Sequence, residues 1–414
     1  GAGGNMNRWI QCSGVLTILS LMACGGDRQG AVSADTDLDY QTILMTQLID
    51  AQPGDVIEIP AGKFAFERSL SLTVDNVTVR GQGMDKTVLS FAGQTSGAEG
   101  LLVTANDFTI EDLAIEDTRG DALKINEGTN IIIRRVRTEW TNGPDTDNGA
   151  YGIYPVQTTN TLIDGVVAIG ASDAGIYVGQ SRNVIVRNSR AEFNVAGIEI
   201  ENTIDADVYG NVATNNTGGI LVFNMPNLPQ PGYGTRVFDN EVFTNNTDNF
   251  GHAGTPVASV PAGSGVVINS NDKVEIFNNV IRDHDTANVI ISSVFSTGFS
   301  DIGTQKNFDP YPETIWIANN EFGEGGGDPD NLELQALRVM MFGLSGELPE
   351  VLWDGFVNQA LYEQGVLPNR YRICLDNGDA KLLNVDGPNE YSAPHIVDDA
   401  ACEHERLPSV SLPF

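Results

Sequence analysis

The chain has 414 residues, more than one compact core usually holds, with 55 Asp and Glu against 23 Lys and Arg. A net charge of −32 argues against nucleic acid, because nothing here could neutralise phosphates, and against tight binding of polyanionic sugars without a metal bridge. Otherwise such a charge serves solubility in a salty or exposed environment.

Residues 1–5 read as an artefact ahead of Met6. The stretch MNRWIQCSGVLTILSLMAC, 6–24, has a basic start at Arg8, a short apolar run and small residues before Cys24. That is the pattern of a secretory signal, too short and wrongly flanked for a spanning helix. Its ending, LMAC, resembles a bacterial lipobox, which makes Cys24 the acylated first mature residue; Met22 is unusual there, and simple cleavage near this point is the alternative. Residues 25–37 are small and polar, as a tether should be. The expectation is a periplasmic or outer-membrane lipoprotein of a Gram-negative bacterium that meets the membrane only through its anchor.

Residues 38–52, LDYQTILMTQLIDAQ, carry helix-spaced apolar residues and predict a capping helix leading into a first coil, DVIEIPAG. A repeat follows. From Gly152 to Gly175 is 23 residues, and Gly175 to Gly197 and Gly197 to Gly219 are 22 each. A second ladder through the preceding strands keeps the same period: Gly165 to Asn188 is 23 and Asn188 to Gly210 is 22. Short alternating β-branched segments punctuated by Gly and Asn describe coils of a parallel β-helix, each burying its apolar side against the next. The predicted fold is all-β: a right-handed parallel β-helix over 38–324 of nine to ten coils, with an N-terminal helical cap. Leu123, Ile153, Ile176, Ile198, Ile220 and Val266 should stack inward. So should Ile125, Pro155, Val178, Ile200, Val222 and Ile268. Asn188, Asn211, Asn240, Asn279 and Asn320 are expected near coil corners, each amide bonding its copy one coil away.

Two insertions break the period: EWTNGPDTDNGA, 139–150, and a larger one between the Gly219 and Gly265 coils. Long loops on one side of a solenoid usually form its binding region. The C-terminal segment, 325–414, begins with a Gly-rich break, predicts a helix over 332–343 and then reads as irregular. In an exported chain Cys374 and Cys402 most simply form a disulfide; the alternative, a Cys/His metal site with His395 and His404, fits no zinc spacing.

The phrases YGIYPVQ, DAGIYVGQS, AGIEIEN, GGILVF and VPAG, in this order and spacing, resemble a bacterial family of exported parallel β-helix proteins. That family sits in the wider right-handed group with NosD-like periplasmic proteins and carbohydrate-active β-helix enzymes. The resemblance runs from about Asp35 to the C-terminal cysteines. It implies fold and export; the family has no established biochemical role.

Residues between the inward pairs face outward. Lys124, Tyr154, Tyr177, Glu199, Leu221 and Val267 should form one row, and Val156, Gly179, Glu201 and Phe223 the next. Tyrosine rings beside carboxylates suit a sugar, stacking on its apolar faces and accepting from its hydroxyls. Tyr154, Asp173, Gln180, Phe223 and Asn249 are therefore the candidate binding residues, and Tyr177, Glu199, Glu201 and His252 the candidate catalytic ones. Glu199 and Glu201 stand roughly 7 Å apart by strand rise, a spacing open to glycoside hydrolysis. Tyr177 and His252 could instead serve a polysaccharide lyase or epimerase. Surface Tyr and Glu that merely coat the sheet are the plain alternative. Asp117, Asp121, Asp145 and Asp147 are a weak calcium set, and the scattered His and Met residues give little support to a NosD-type copper role. Three functions follow: an enzyme on a carbohydrate polymer, a non-catalytic surface lipoprotein binding carbohydrate or an exported protein partner, and a periplasmic accessory protein of a redox or metal system.

Overall fold

The computed structural model describes residues 34–298 and 307–414. The signal segment, Cys24 and the tether up to residue 33 lie outside the described residues. The helix α1, Ala34–Ile49, starts inside the expected tether and seats Leu44 and Leu48 on the first coil. The Gln41 side chain accepts from the backbone N–H groups of Glu67 and Arg68. One end of the stack is thus closed against edge pairing. No helix among the described residues is long and apolar enough to cross a membrane.

From there the chain winds as a parallel β-helix, the strands pairing in parallel with those one turn away; the short final strand His395–Ile396 pairs antiparallel with Leu382–Asn384. Along the first sheet the inward row is Leu70, Leu101, Leu123, Ile153, Ile176, Ile198, Ile220, Val266, Val289, Val351 and Leu382, eleven rungs in register. The second sheet stacks Ile57 through Ile163, Val208 and Ile276 to Leu375 in the same way. A third, shorter sheet turns the corner with Ala168, Ala191, Ala213, Val242 and Ile281. These side chains are solvent-free and form one continuous core. Burying each Val, Leu or Ile among them stabilises by roughly 2 kcal/mol.

The stack passes the boundary expected at residue 324. Strands Val351–Trp353 and Leu382–Asn384 extend the first sheet, and Ile373–Asp376 the second. The helix α2, Leu332–Phe342, and long connections separate these late rungs, so no fixed period betrays them.

The corners explain the recurring phrase small–Gly–Ile. Asn194, Asn216 and Asn245 form a buried ladder, in which each Nδ2 and each backbone N–H donates to the Oδ1 of the next; Asn245 ends on His284. A Cβ on Gly175 would lie 2.5 Å from Asn194 Nδ2, one on Gly197 2.7 Å from Asn216 Nδ2, and one on Gly265 2.9 Å from the His284 ring. Glycine recurs because the amide ladder fills the space a side chain would need. Burial pushes His284 down to about 4, so it completes the ladder as neutral imidazole. A second ladder runs Asn211, Asn240, Asn279, Asn320, Asn377. Asn188 is not on it: Ser189 N–H donates to Asn211 instead, while Asn188 is exposed at φ 52° and donates to Asp164. The sequence register was one residue off at that corner, where Asn takes the left-handed turn position.

Cys374 and Cys402 form a disulfide with Cα atoms 4.8 Å apart, which ties the final segment to the second sheet. Both thiols are consumed, and His404 Nε2 bonds the Arg372 carbonyl oxygen at 2.8 Å, leaving no Cys/His metal set there.

Candidate active site

The outward row of the first sheet runs Lys124, Tyr154, Tyr177, Glu199, Leu221, Val267, Ile290 and Leu352. Val156, Gly179, Glu201 and Phe223 form the row beside it. The row exists, but it is not an exposed strip. Tyr177 is 5% exposed and Glu199 2%. The larger insertion folds back over them, and Met225, Leu228, Phe250, Val257 and Val260 pack with Tyr177, Leu221 and Phe223 in a separate apolar cluster. The coating of surface Tyr and Glu is excluded for these two residues for the same reason. Tyr154, Asp173 and Glu201 remain half-buried at its edge.

Tyr151 is a third ring that the sequence reading did not assign. Its centroid lies 4.5 Å from Tyr154 and 4.4 Å from Tyr177, and Tyr154 and Tyr177 meet edge-to-face at 5.0 Å. Small residues share its row one, two and three rungs away, Ala174, Ala196 and Gly218, a signal that could have marked it. Lys124 Nζ stands 5.3 Å from the centre of the Tyr154 ring.

Asp173, Glu199 and Glu201 stand close enough for their charges to act on one another, and the charges of Glu201 and Glu199 act on Tyr177. The Tyr151 hydroxyl donates to Asp173 Oδ2 at 3.3 Å, and Gln180 Nε2 donates to the Tyr177 hydroxyl oxygen at 3.3 Å. The two glutamates were expected about 7 Å apart from backbone rise. The Glu201 charge acts on Glu199, and like charges so placed disfavour ionising both. Desolvation is the largest cause throughout. It pushes Asp173 up to about 7, with the Glu201 charge adding to it. Burial, then the charges of Glu201 and Asp173, hold Glu199 well above the usual carboxylate range, and burial raises Glu201. Burial and neighbouring carboxylates also raise Tyr151, Tyr154 and Tyr177. Glu199 Oε2 has no hydrogen-bond partner among the described atoms, as expected of a group that needs a proton. Burial thus favours the protonated form of all three carboxyl groups.

His252 makes no bond to the tyrosines or carboxyls among the described residues. Its side chain is exposed and makes no hydrogen bond or ion pair among the described residues; only its carbonyl is used, accepting from Thr255. Asn249 braces the insertion, donating to the Val257 and Val260 carbonyls and accepting from Gly251 N–H. Phe223 belongs to the apolar cluster and to a cleft of about 450 Å³ between Ser259–Pro261 and α2.

Of the four candidate calcium ligands, Asp117, Asp121 and Asp145 are occupied in different ways. Asp117 accepts from both the N–H and the hydroxyl of Thr141, and Asp145 accepts from Asp147 N–H. Asp121 is turned toward the tyrosines, where burial pushes it up to about 6 and its charge raises Tyr154. Among the described residues no three His, Cys, Asp or Glu side chains form a metal-holding group.

Residues 65–229 match the family model described as "Right handed beta helix region", in keeping with the observed winding. No curated protein matches the chain by sequence. Solved structures similar to it include the Azotobacter vinelandii mannuronan C-5 epimerase AlgE6 A-module, 17% identical over 77% of this chain and 86% of that one, TM-score 0.46. The AlgE4 A-module of the same organism is 15% identical over 83% and 89%, TM-score 0.47. The Yersinia enterocolitica family 28 exopolygalacturonase is 12% identical over 75% and 64%, TM-score 0.45.

Proposed function

We propose that this chain is an exported, lipid-anchored protein that acts on a carbohydrate polymer, with Tyr151, Tyr154 and Tyr177 as the wall of the site and Asp173, Glu199 and Glu201 as its proton-exchanging floor. The observation that carries this reading is the packing of three tyrosine rings beside the acids Asp173, Glu199 and Glu201, with the Tyr151 hydroxyl donating to Asp173. Rings give a pyranose an apolar face to pack on, and protonated carboxyls and phenols donate to its oxygens. A group near pH 7 is well matched to taking a proton, and a phenol held protonated is matched to giving one. Asp173 and Tyr177 are those two groups. Glycoside hydrolases separate their two carboxyls by about 5–5.5 or 6.5–9.5 Å. That chemistry also needs one of the two carboxyls ionised, whereas burial raises both Glu199 and Glu201, so proton abstraction and return, as in a lyase or epimerase, is favoured over hydrolysis. His252 and calcium have no part in this reading.

The test is a panel of neutral and uronate polysaccharides offered to a soluble form beginning at residue 34. Turnover that Tyr177→Phe abolishes while binding persists supports the enzyme. Binding without turnover by the unaltered protein leaves a non-catalytic binding lipoprotein, served by the half-buried rim of Tyr154, Asp173 and Glu201. Failure to bind any glycan refutes both. Mass spectrometry of the mature N-terminus tests the anchor at Cys24.

A further inference from the structure

After the Cys402 disulfide the chain does not end in solvent. It runs back across the outer face of the second sheet, over the row Ile185, Asp207, Arg236, Glu275 and Trp316. Glu275 Oε2 accepts Leu407 N–H at 3.0 Å and Asp207 Oδ2 accepts Val410 N–H at 3.0 Å. Asn183 Nδ2 donates to the Ser411 carbonyl at 2.8 Å. The Arg406 guanidinium lies 3.2 Å from the centre of the Trp316 ring and 3.7 Å from Glu275. Under this strap Asp207 is 3% and Glu275 4% exposed, with Arg236 bridging them at 3.0 and 3.5 Å. Asp207 Oδ1 is buried without a partner.

A sheet face that merely needed cover would be apolar. This one offers side-chain carboxylates spaced to accept backbone N–H groups three residues apart, an amide aimed at a carbonyl, and a ring face for a cation. Those are the elements by which an extended peptide is read. The resident segment, ERLPSVSLPF, suits them: Pro408 and Pro413 lack N–H groups that would otherwise need acceptors, and they hold the strand extended before it docks. No ladder of backbone–backbone bonds fastens residues 403–414 to the sheet.

We propose that this face is a docking track for an extended peptide with a basic residue, an apolar residue next to it and a second apolar residue three further on, and that the chain's own C-terminal segment is its exchangeable occupant. The acidic track selects a cationic partner segment, and the tail competes with it in cis. This inference is independent of the carbohydrate reading.

The test uses the full chain carrying Leu407→Pro and Val410→Pro, which removes both N–H donors from the tail and leaves the track untouched. The probe is a labelled synthetic peptide of residues 405–414. Retention of the Cys374–Cys402 disulfide and of the unfolding temperature establishes that the variant is folded. The expected result is saturable binding to the variant, at least about tenfold tighter than to the unaltered chain, and at least about tenfold weaker when the peptide itself carries the two prolines. A folded variant that ignores the peptide, or that binds both peptides equally, overturns the proposal.

Discussion

Asp173→Asn isolates the buried acid cluster. In the folded chain the Asp173 carboxyl titrates near 7, against 3.8 for the free side chain, chiefly because burial disfavours its charge. The folded state therefore holds a proton that the unfolded state has released, and stability falls as pH rises through that window. Below about pH 4 both states are protonated and the group is neutral to stability; above about pH 7 the full gap of roughly three units is felt, on the order of 4 kcal/mol. Between about pH 5 and pH 8 the share of this one group is about 2–3 kcal/mol. Asn keeps an acceptor for the Tyr151 hydroxyl and loses the titration. Urea unfolding at the two pH values should show the unaltered protein losing more stability on going to pH 8 than the variant does, by about 2–3 kcal/mol. Residual pH dependence in the variant is expected from Glu199, Glu201 and Asp121, all raised by burial. Equal pH slopes for the two proteins, or an unaltered protein that gains stability toward pH 8, would refute the proton-holding cluster.

Reducing the Cys374–Cys402 bond, which closes a loop of 28 residues, should cost about 3–4 kcal/mol in the chain-entropy account, read as a lower urea midpoint for the double Ser variant. Gly197→Ala places a methyl 2.6 Å from the Gly219 carbonyl and 2.7 Å from Asn216 Nδ2, so a loss of about 1–3 kcal/mol is expected by thermal unfolding. Asn216→Ala orphans the buried N–H of Asn194 and removes one of the two donors to Asn245 Oδ1, and should lower stability by about 2–4 kcal/mol, whereas Asn188→Ala at its exposed corner should cost only the left-handed strain, about 1 kcal/mol. Equal effects of the two Asn changes would show that the ladder register described above is wrong.

The winding was legible because it is written redundantly. Ile153, Ile176, Ile198 and Ile220 repeat at a fixed period, and each copy makes the same contact, so the inward rows and their outward partners could be read directly. Legibility failed where the period stopped. Val351 and Leu382 occupy the next rungs, but α2 and its flanking loops lie between them and the regular coils. The Asn188 assignment failed for a local reason: consecutive Asn and Ser at that corner compete for turn and ladder, and Asn took the left-handed turn.

The site was half legible for a deeper reason. Period 2 tells which side of a strand a residue faces, and Tyr154, Tyr177, Glu199 and Glu201 do face outward together. It cannot tell what a non-repeating insertion will lay over that face. Met225, Val257 and Val260 come from a segment with no copy elsewhere in the chain, and they bury Tyr177 and Glu199 and leave Asp173 and Glu201 half-buried. The same covering disfavours the charged form of each carboxyl. A hydrophilic insertion would have left the same four residues as ordinary solvated acids and phenols. The chemistry therefore belongs to the lid and the strip jointly, and Val257→Ser with Val260→Ser should move Asp173 back toward its ordinary range. Carboxyl titration by NMR would read that fall, and an Asp173 still near 7 beneath a loosened lid would show that the neighbouring charges, not the covering, set its protonation.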